Sequence, residues 1–358
     1  MALTGLMKNK ITLNKSNKDF ADKIVLSCKY FCLGMILMLN IVLTSCESKK
    51  QRPSEDTAVK TPVIAAPAFL EDSAYKKVAD QVAFGPRVPN TVAHVKCGDF
   101  IIDVLKALKV EVKVQEFEAK TFEGKLQRLR NIIGIVNPSA TKRILLITHW
   151  DTRPFADKDS INKNKPIDGA NDGASGVGIL LEIARTLQQA KAKPGVGVDL
   201  LFVDGEDGGR GNVEGAGEEG PDTWCLGAQH WAKNKHVPSY AAYYGILLDM
   251  VGAKGAHFAL EGTSMQFAAE VNNKVWETAQ RSGFGSFFIY QKAESITDDH
   301  AYINEIAKIP TIDIIDYDIQ KNGYFGWYHH THHDNLSIID PQTLKAVGQT
   351  LINVLYSE

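Results

Sequence analysis

The 358-residue chain lacks an excess of charge of either sign, since its formal net charge at pH 7 is −2. No stretch concentrates Lys and Arg into a basic stripe, so nucleic acid is not an expected partner. Internal repeats are absent, and cysteine is scarce, with five residues. What is present, 44% hydrophobic and 23% charged residues, is the composition of an ordinary α/β protein that can bury a large core.

The apolar run at residues 30–43 is too short for a comfortable membrane span. Lysines precede it and the tetrapeptide Leu-Thr-Ser-Cys at residues 43–46 ends it, as in a secretory signal. That tetrapeptide resembles the lipobox of bacterial lipoproteins. We therefore expect residues 1–45 to be a signal sequence and Cys46 to carry lipid, with an uncleaved anchor as the alternative. The protein would then be exported to the cell envelope as a periplasmic or outer-membrane lipoprotein, held to the membrane by its lipid.

Residues 46–67 are polar and lack periodicity, which predicts a flexible tether. Residues 68–358 form the predicted catalytic domain. Its cysteines, Cys97 and Cys225, could pair in an exported protein, but Cys97 fits a buried helix face equally well. The sequence leaves the disulfide open.

Helical and strand patterns alternate along the domain. Helices are predicted at 69–82, 90–108, 174–190, 223–234, 265–281, 299–306 and 341–355. Strands are predicted at 111–118, 129–136, 144–148, 198–203, 244–250 and 311–315. The later strands are apolar throughout, as in parallel sheets covered on both faces, and the first two suggest an antiparallel edge. The predicted fold is a three-layer α/β/α sandwich with a mixed, mostly parallel sheet.

Acidic and histidine residues follow three of the buried strands. His149 and Asp151 follow the strand at 144–148, Glu206 and Asp207 follow the next, and Asp249 ends the third. The carboxyl ends of strands in such a sheet form the binding crevice. Carboxylates gathered there repel one another unless a metal or protons neutralise them, which indicates a metal site.

A late segment at residues 329–334 adds four histidines and an aspartate. By itself it could be a solvated or metal-scavenging loop. Carboxylates combined with an imidazole suit zinc, whereas calcium would use oxygen ligands alone.

Six ordered motifs resemble the zinc-aminopeptidase superfamily and, within it, most resemble glutaminyl cyclases. The resemblance covers nearly the whole domain. The motifs are His149-Trp150-Asp151, Gly169-Ala170-Asn171-Asp172-Gly173-Ala174-Ser175-Gly176, Asp204-Gly205-Glu206-Asp207, Leu248-Asp249, Asp298-Asp299-His300 and His330-Thr331 with Asp334-Asn335.

The resemblance implies one zinc ion per chain, bound by Asp172, Asp207 and His330. It implies that Glu206 is the general acid/base. Asp172 could also cap the following helix, and Glu206 with Asp207 could be a polar turn.

Aminopeptidases of this superfamily hold a second zinc, for which His149, Asp249 and a bridging Asp172 would be the ligands. The resemblance to cyclases depends on Asp298, a position where aminopeptidases usually carry an uncharged residue. We expect Asp298 to face Asp249 and share a proton with it, which would make both of them catalytic. Asp298 could instead be a helix N-cap.

Trp224, Phe325 and Trp327 are the candidate substrate-binding aromatics, although each could be core packing. Animal cyclases have a tryptophan directly before the zinc histidine, where this chain has His329. The glycine- and acid-rich loop at 208–220 is also longer than in that family.

The resemblance therefore implies an acyltransferase that converts the amino-terminal glutamine of peptides or proteins to pyroglutamate and releases ammonia. The alternatives are a di-zinc aminopeptidase and a catalytically silent peptide-binding lipoprotein of the same fold.

Overall fold

Eight strands and seven helices follow one another in residues 65–211, 222–318 and 324–358, the part of the chain that the computed structural model describes. The helices are α1 (Glu71–Val82), α2 (Val92–Ala107), α3 (Ala174–Gln189), α4 (Leu226–Lys233), α5 (Gly262–Arg281), α6 (Asp299–Tyr302) and α7 (Pro341–Ser357). The strands are β1 (Glu111–Lys120), β2 (Leu126–Val136), β3 (Arg143–His149), β4 (Gly197–Val203), β5 (Tyr244–Asp249), β6 (Phe258–Leu260), β7 (Phe288–Lys292) and β8 (Thr311–Ile315).

The main sheet has six strands in the order β1-β2-β4-β3-β5-β8. β1 pairs antiparallel with β2, and β2 pairs antiparallel with β4. The pairs β3–β4, β3–β5 and β5–β8 are parallel. This is the expected mixed sheet with an antiparallel edge, because the two early strands form a hairpin while the later ones are joined through helices.

Side chains of the central strands alternate between two hydrophobic clusters, one on each face of the sheet. In β3, Ile144 and Leu146 belong to the larger cluster with α1, α2, α3, α5 and α7, whereas Leu145 and Ile147 belong to the smaller one with α4. Successive strand residues point to opposite faces, so a strand that is apolar throughout needs cover on both. The α/β/α layering follows from that pattern.

The helix predicted at 265–281 begins earlier, at Gly262, because Glu261 caps it by accepting from the amides of Thr263 and Ser264. The short parallel pair β6–β7 was missed by the sequence patterns. The helix predicted at 299–306 is four residues of α-helix followed by a π-helical turn, Ile303–Ala307.

Cys97 and Cys225 are both free and buried, so they do not pair. No described helix has the length and hydropathy needed to cross a membrane. The predictions for residues 1–45, for Cys46 and for most of the tether lie outside the described residues.

Candidate active site and metal centre

The carboxyl ends of the parallel strands meet at one edge of the main sheet. β3 ends at His149 and β5 at Asp249, while β4 runs into the turn with Glu206 and Asp207. Asp172, from the turn before α3, reaches the same edge, since its Oδ1 lies 3.0 Å from His149 Nε2. The parallel register thus brings together acids that lie far apart in the chain.

Two buried aspartates hold the turns that carry these acids. Asp334 accepts hydrogen bonds from the amides of residues 171 and 172, at 2.7 and 3.0 Å. Asp151 accepts from the amides of residues 206 and 207, at 3.1 and 3.2 Å. Because each carboxylate accepts from two consecutive amides, it fixes the backbone of that turn. It thereby sets the direction of the acidic side chains that the turn carries.

Asp172 does not cap the helix that follows it. The residue at the N-cap of α3 is Gly173, with φ of 90° and no side-chain cap bond. A Cβ on Gly173 would lie 2.8 Å from the carbonyl oxygen of Asp151. The glycine therefore permits the turn, and the Asp172 carboxylate remains available to the site.

His330 lies between the two acids expected to bind zinc with it. Its Nε2 is 3.3 Å from Asp207 Oδ1 and 3.8 Å from Asp172 Oδ2. Its other nitrogen, Nδ1, lies 3.4 Å from Asp157 Oδ1. A carboxylate behind a histidine orients the ring toward a metal, and Asp157 has that position.

The three side chains fit a zinc ion. Asp207 Oδ2 is buried and has no hydrogen-bond partner within the described residues, which is costly for a carboxylate oxygen unless a cation meets it. Two carboxylates and one imidazole, with the cavity on the open side, are the ligand set of a catalytic zinc site. His329 also offers a ring nitrogen within 4.8 Å of the ligand atoms of Asp172 and His330.

A second possible ligand set overlaps the first. His149 Nε2 lies 3.0 Å from Asp172 and 3.2 Å from Asp249. The three residues form a buried group that could hold a metal ion, as expected for the di-zinc alternative.

Glu206 lies at the edge of this acidic cluster, half-buried, with its Oε1 3.4 Å from the Cys225 thiol, which donates to it. Burial, and then the charges of Asp298 and Asp207, raise the pKa of Glu206 well above its ordinary value, although His149 opposes the shift. A carboxyl that retains a proton more readily is suited to carrying protons near neutral pH.

Asp298 is both a helix cap and part of the cluster. Its Oδ1 accepts from the Asp299 amide at 2.5 Å at the start of α6. Burial first, and then the charges of Asp298 and Asp249, raise the pKa of Asp313 well above its ordinary value, so these three carboxyls interact as one buried group. The buried Asp313 oxygens have no hydrogen-bond partner within the described residues, and a proton held among the three carboxyls would reduce their repulsion.

Asp298 acts on Asp249 through its charge. Burial first, and then the charges of Asp172 and Asp298, raise the pKa of Asp249 to about 7 against the hydrogen bond from His149. Proton sharing between Asp298 and Asp249 stays a prediction, and Asp313 adds a third carboxyl beside them because β8 lies next to β5.

A cavity of about 240 Å³ opens onto these groups. It is lined by Asp172, Glu206, Asp249, Asp298 and His330, and by the aromatic rings of Trp224 and Phe325. The Trp224 ring is parallel to that of His330, with centroids 6.3 Å apart. A cavity of this size admits one small side chain.

Trp327, the third candidate aromatic, lies outside the cavity lining, with 68% of its surface exposed. The His329 amide donates to the Gly326 carbonyl at 3.0 Å, which places Trp327 on the outer side of a turn. Its ring packs near His333 instead. The sequence identified a nearby aromatic but could not give its direction.

A larger, more open groove of about 880 Å³ lies elsewhere, between α2 and the β1–β2 hairpin. It contains His94, whose Nε2 lies 2.9 Å from Asp204. No group of possible metal ligands in the described residues lies there. The smaller cavity is therefore the candidate active site.

Four contributors were not assigned a role from the sequence: Asp151, Asp157, His329 and Asp334. Asp151 and Asp334 lie within the quoted motifs, so the motif order was the available signal. No sequence pattern singled out Asp157, because its role depends on a contact with residue 330.

The model of peptidase family M28 matches residues 131–355 of this chain. The chain belongs to that family. The matched range includes all three expected zinc ligands and Glu206, and members of this family are zinc-dependent enzymes.

Solved structures give the same fold over the described domain. A glutaminyl cyclase from Tannerella forsythia is 50% identical, with a TM-score of 0.78 over 82% of this chain and 100% of that one. A leucine aminopeptidase precursor from Bacteroides thetaiotaomicron is 48% identical, with a TM-score of 0.77 over 83% of this chain and 100% of that one. The α/β zinc-aminopeptidase-like fold is thereby confirmed.

Among curated proteins, the glutaminyl-peptide cyclotransferase of Drosophila melanogaster is 30% identical over 206 residues, 54% of each chain. This chain therefore spans about half the length of that relative. Both cyclases and aminopeptidases are similar to it, so the choice between them depends on the site.

Proposed function

We propose that this protein is a glutaminyl-peptide cyclotransferase, which converts the amino-terminal glutamine of peptides or proteins to pyroglutamate. The observation that carries the proposal is the presence of Glu206, Asp249 and Asp298 in one small cavity beside the Asp172–Asp207–His330 set. Similarity to cyclases across the full length of a solved domain supports it.

Asp172, Asp207 and His330 would hold a single zinc ion. The chemistry that zinc supplies there is Lewis-acid polarisation of the side-chain carboxamide of the glutamine. Asp157 orients the His330 ring through Nδ1, and Asp151 and Asp334 hold the turns of the two acids.

Glu206 takes a proton from the attacking α-amine and delivers it to the departing ammonia. Asp298 and Asp249 stabilise the charge that develops. They do so as members of a buried cluster of carboxyls to which Asp313 also belongs. Trp224 and Phe325 enclose the glutamine side chain and exclude water. The nucleophile belongs to the substrate, so no residue has to activate water.

A di-zinc aminopeptidase is the second candidate, because His149, Asp172 and Asp249 form a possible ligand group of their own. That enzyme would use the same substrate terminus but would need Asp249 as a ligand. Against it, Asp298 lies in the same cavity and raises the proton affinity of Asp249.

The test is to incubate the purified protein with Gln-Ala and with Leu-Ala while measuring ammonia, free amino acids and bound zinc. We expect ammonia from Gln-Ala, no leucine from Leu-Ala and one tightly bound zinc per chain. Leucine release with two tightly bound zinc ions would establish the aminopeptidase. If neither product forms, the protein is a silent peptide-binding member of the fold.

For location, we propose that the protein is exported and anchored to the cell envelope through lipid on Cys46. The support is the apolar run followed by Leu-Thr-Ser-Cys. Labelling of cells with a radioactive fatty acid should mark the full chain and not its Cys46→Ser variant. Equal labelling of the two would exclude Cys46 as the site.

A further inference from the structure

His329 occupies a wall of the active-site cavity next to the expected zinc ligand His330. The two imidazole centroids are 3.8 Å apart, and the Phe325 ring lies 4.5 Å from His329 on another side. The proposed mechanism gives His329 no role, although one of its ring nitrogens lies within 4.8 Å of the ligand atoms of Asp172 and His330.

The His329 ring is oriented by a lysine. Lys158 Nζ lies 2.6 Å from His329 Nδ1. An ammonium group has donors and no acceptor, so Nδ1 is the acceptor of this hydrogen bond and carries no hydrogen itself. The neutral ring then has its hydrogen on Nε2, which has no hydrogen-bond partner within the described residues.

Lys158 belongs to a segment that is itself held in place. Its backbone amide donates to the His330 carbonyl at 3.3 Å. The preceding residue, Asp157, contacts His330 Nδ1 and is held by Arg153 at 2.7 and 2.9 Å. Asp159 accepts from the amide and the ring of His332. The segment thus contacts three histidines in turn and sets the ring direction of at least two.

The cavity has a surplus of acceptors. Asp172, Glu206, Asp249 and Asp298 all present carboxyl oxygens to it. A peptide substrate brings carbonyl oxygens of its own, which also accept. One carbonyl, that of the carboxamide, is assigned to the metal. The main-chain carbonyl of the first residue then needs an N–H donor nearby.

We propose that His329, with its tautomer set by Lys158, is a substrate-binding residue whose Nε2–H donates to the main-chain carbonyl oxygen of the first substrate residue. This rests on the proposed function, because the carbonyl assigned to the metal is that of the amino-terminal glutamine's carboxamide. The contact would position the α-amine, which lies on the carbon next to that carbonyl, toward Glu206.

The test compares the KM and kcat of four variants with those of the unchanged protein. His329→Phe keeps a ring and loses the donor, so KM should rise by about five- to tenfold while kcat falls less. His329→Gln places an amide donor near the former Nε2 and should recover most of that loss. Lys158→Met should raise KM by about two- to threefold, because Nδ1 and Nε2 can then exchange the hydrogen.

Lys163→Met is the matched control, since it removes a positive charge from an exposed lysine five residues away and should leave KM unchanged. Bound zinc is measured for each variant. An unchanged KM in His329→Phe overturns the proposal. Loss of zinc in both His329 variants also overturns it, because His329 would then be a metal ligand.

The experiment separates this proposal from the proposed function. Ammonia release from Gln-Ala by the unchanged protein tests the function alone. If that protein releases leucine from Leu-Ala instead, the proposed function fails and the role of His329 fails with it, because the main-chain carbonyl is then the reacting group. An unchanged KM of His329→Phe in a protein that does release ammonia from Gln-Ala contradicts the role of His329 alone.

Discussion

At the scale of single residues, adjacent acids of this site face different surroundings. Asp207 contacts His330 and has an unpartnered buried oxygen, which suits a metal ligand. Glu206, its neighbour, has the weak Cys225 thiol as a donor and a raised pKa, which suits a proton carrier. The difference arises because successive residues of the turn after β4 point in different directions.

Glu206→Gln should lower kcat by about 100-fold or more and leave zinc content unchanged, because the amide cannot take the α-amine proton. Asp207→Asn is the matched neighbour and should lose zinc instead. Ammonia release and metal analysis check both variants. Zinc loss in Glu206→Gln would place that residue among the ligands.

Asp298 combines a cap with a catalytic carboxyl, and two substitutions separate those roles. Asp298→Asn keeps an N-cap for α6 but cannot share a proton with a neighbouring carboxyl, so turnover should fall strongly at nearly unchanged stability. Asp298→Ala should lose turnover and also about 1 kcal/mol of stability. Both should retain zinc. Full activity in Asp298→Asn would show that Asp298 serves as a helix cap and has no catalytic role.

At the scale of elements, the start of α5 depends on one buried carboxylate. Glu261 accepts from the amides of Thr263 and Ser264, from the Ile296 amide and from His300 Nε2. These contacts connect α5 to the segment that carries Asp298. Burial raises the pKa of Glu261, but the His300 contact and the capping amides outweigh it and lower that pKa to about 2.

Glu261→Gln should therefore destabilise the fold by about 2–3 kcal/mol at pH 7. A lowered folded-state pKa contributes stability that is present above the unfolded value of 4.5 and is lost as pH falls toward 2. The difference in the free energy of unfolding between Glu261→Gln and the unchanged protein should thus shrink below pH 4.5. Denaturant unfolding at several pH values measures it.

Glu277→Gln, on the exposed side of the same helix, is the control and should unfold like the unchanged protein. A stability difference for Glu261→Gln that stays constant from pH 7 to pH 3 would contradict the assignment of an ionised cap.

At the scale of the whole molecule, the sheet gathers carboxylates that oppose one another. Asp172 raises the pKa values of Asp207, Asp249 and Asp334, in each case in addition to burial. A bound cation offsets this repulsion in the folded state alone, since the unfolded chain separates the acids.

Removal of zinc with a chelator should lower the melting temperature by about 5 °C or more, and one equivalent of zinc should restore it. Calorimetry with metal analysis checks both. If a second equivalent of zinc raises the melting temperature again by a similar amount, the protein has two tight zinc sites, which would favour the aminopeptidase alternative.

The buried strands and the order of the motifs were predictable because apolar runs and catalytic acids lie in short stretches of sequence. The pair β6–β7 was not, since strands of three and five residues carry too little pattern. The sequence also could not predict that the Trp327 side chain points away from the cavity, because its direction depends on the turn that ends at His329.

The sequence by itself determined the α/β/α layering, the residues near the sheet edge and the resemblance to zinc enzymes. Only the tertiary structure decided which side chains touch, such as Asp157 with His330 and Lys158 with His329. Apolar periodicity is local and survives in the sequence, whereas these pairs join residues up to 173 positions apart through the strand order and the loops above it. Their partners are set by packing, which no spacing in the chain records.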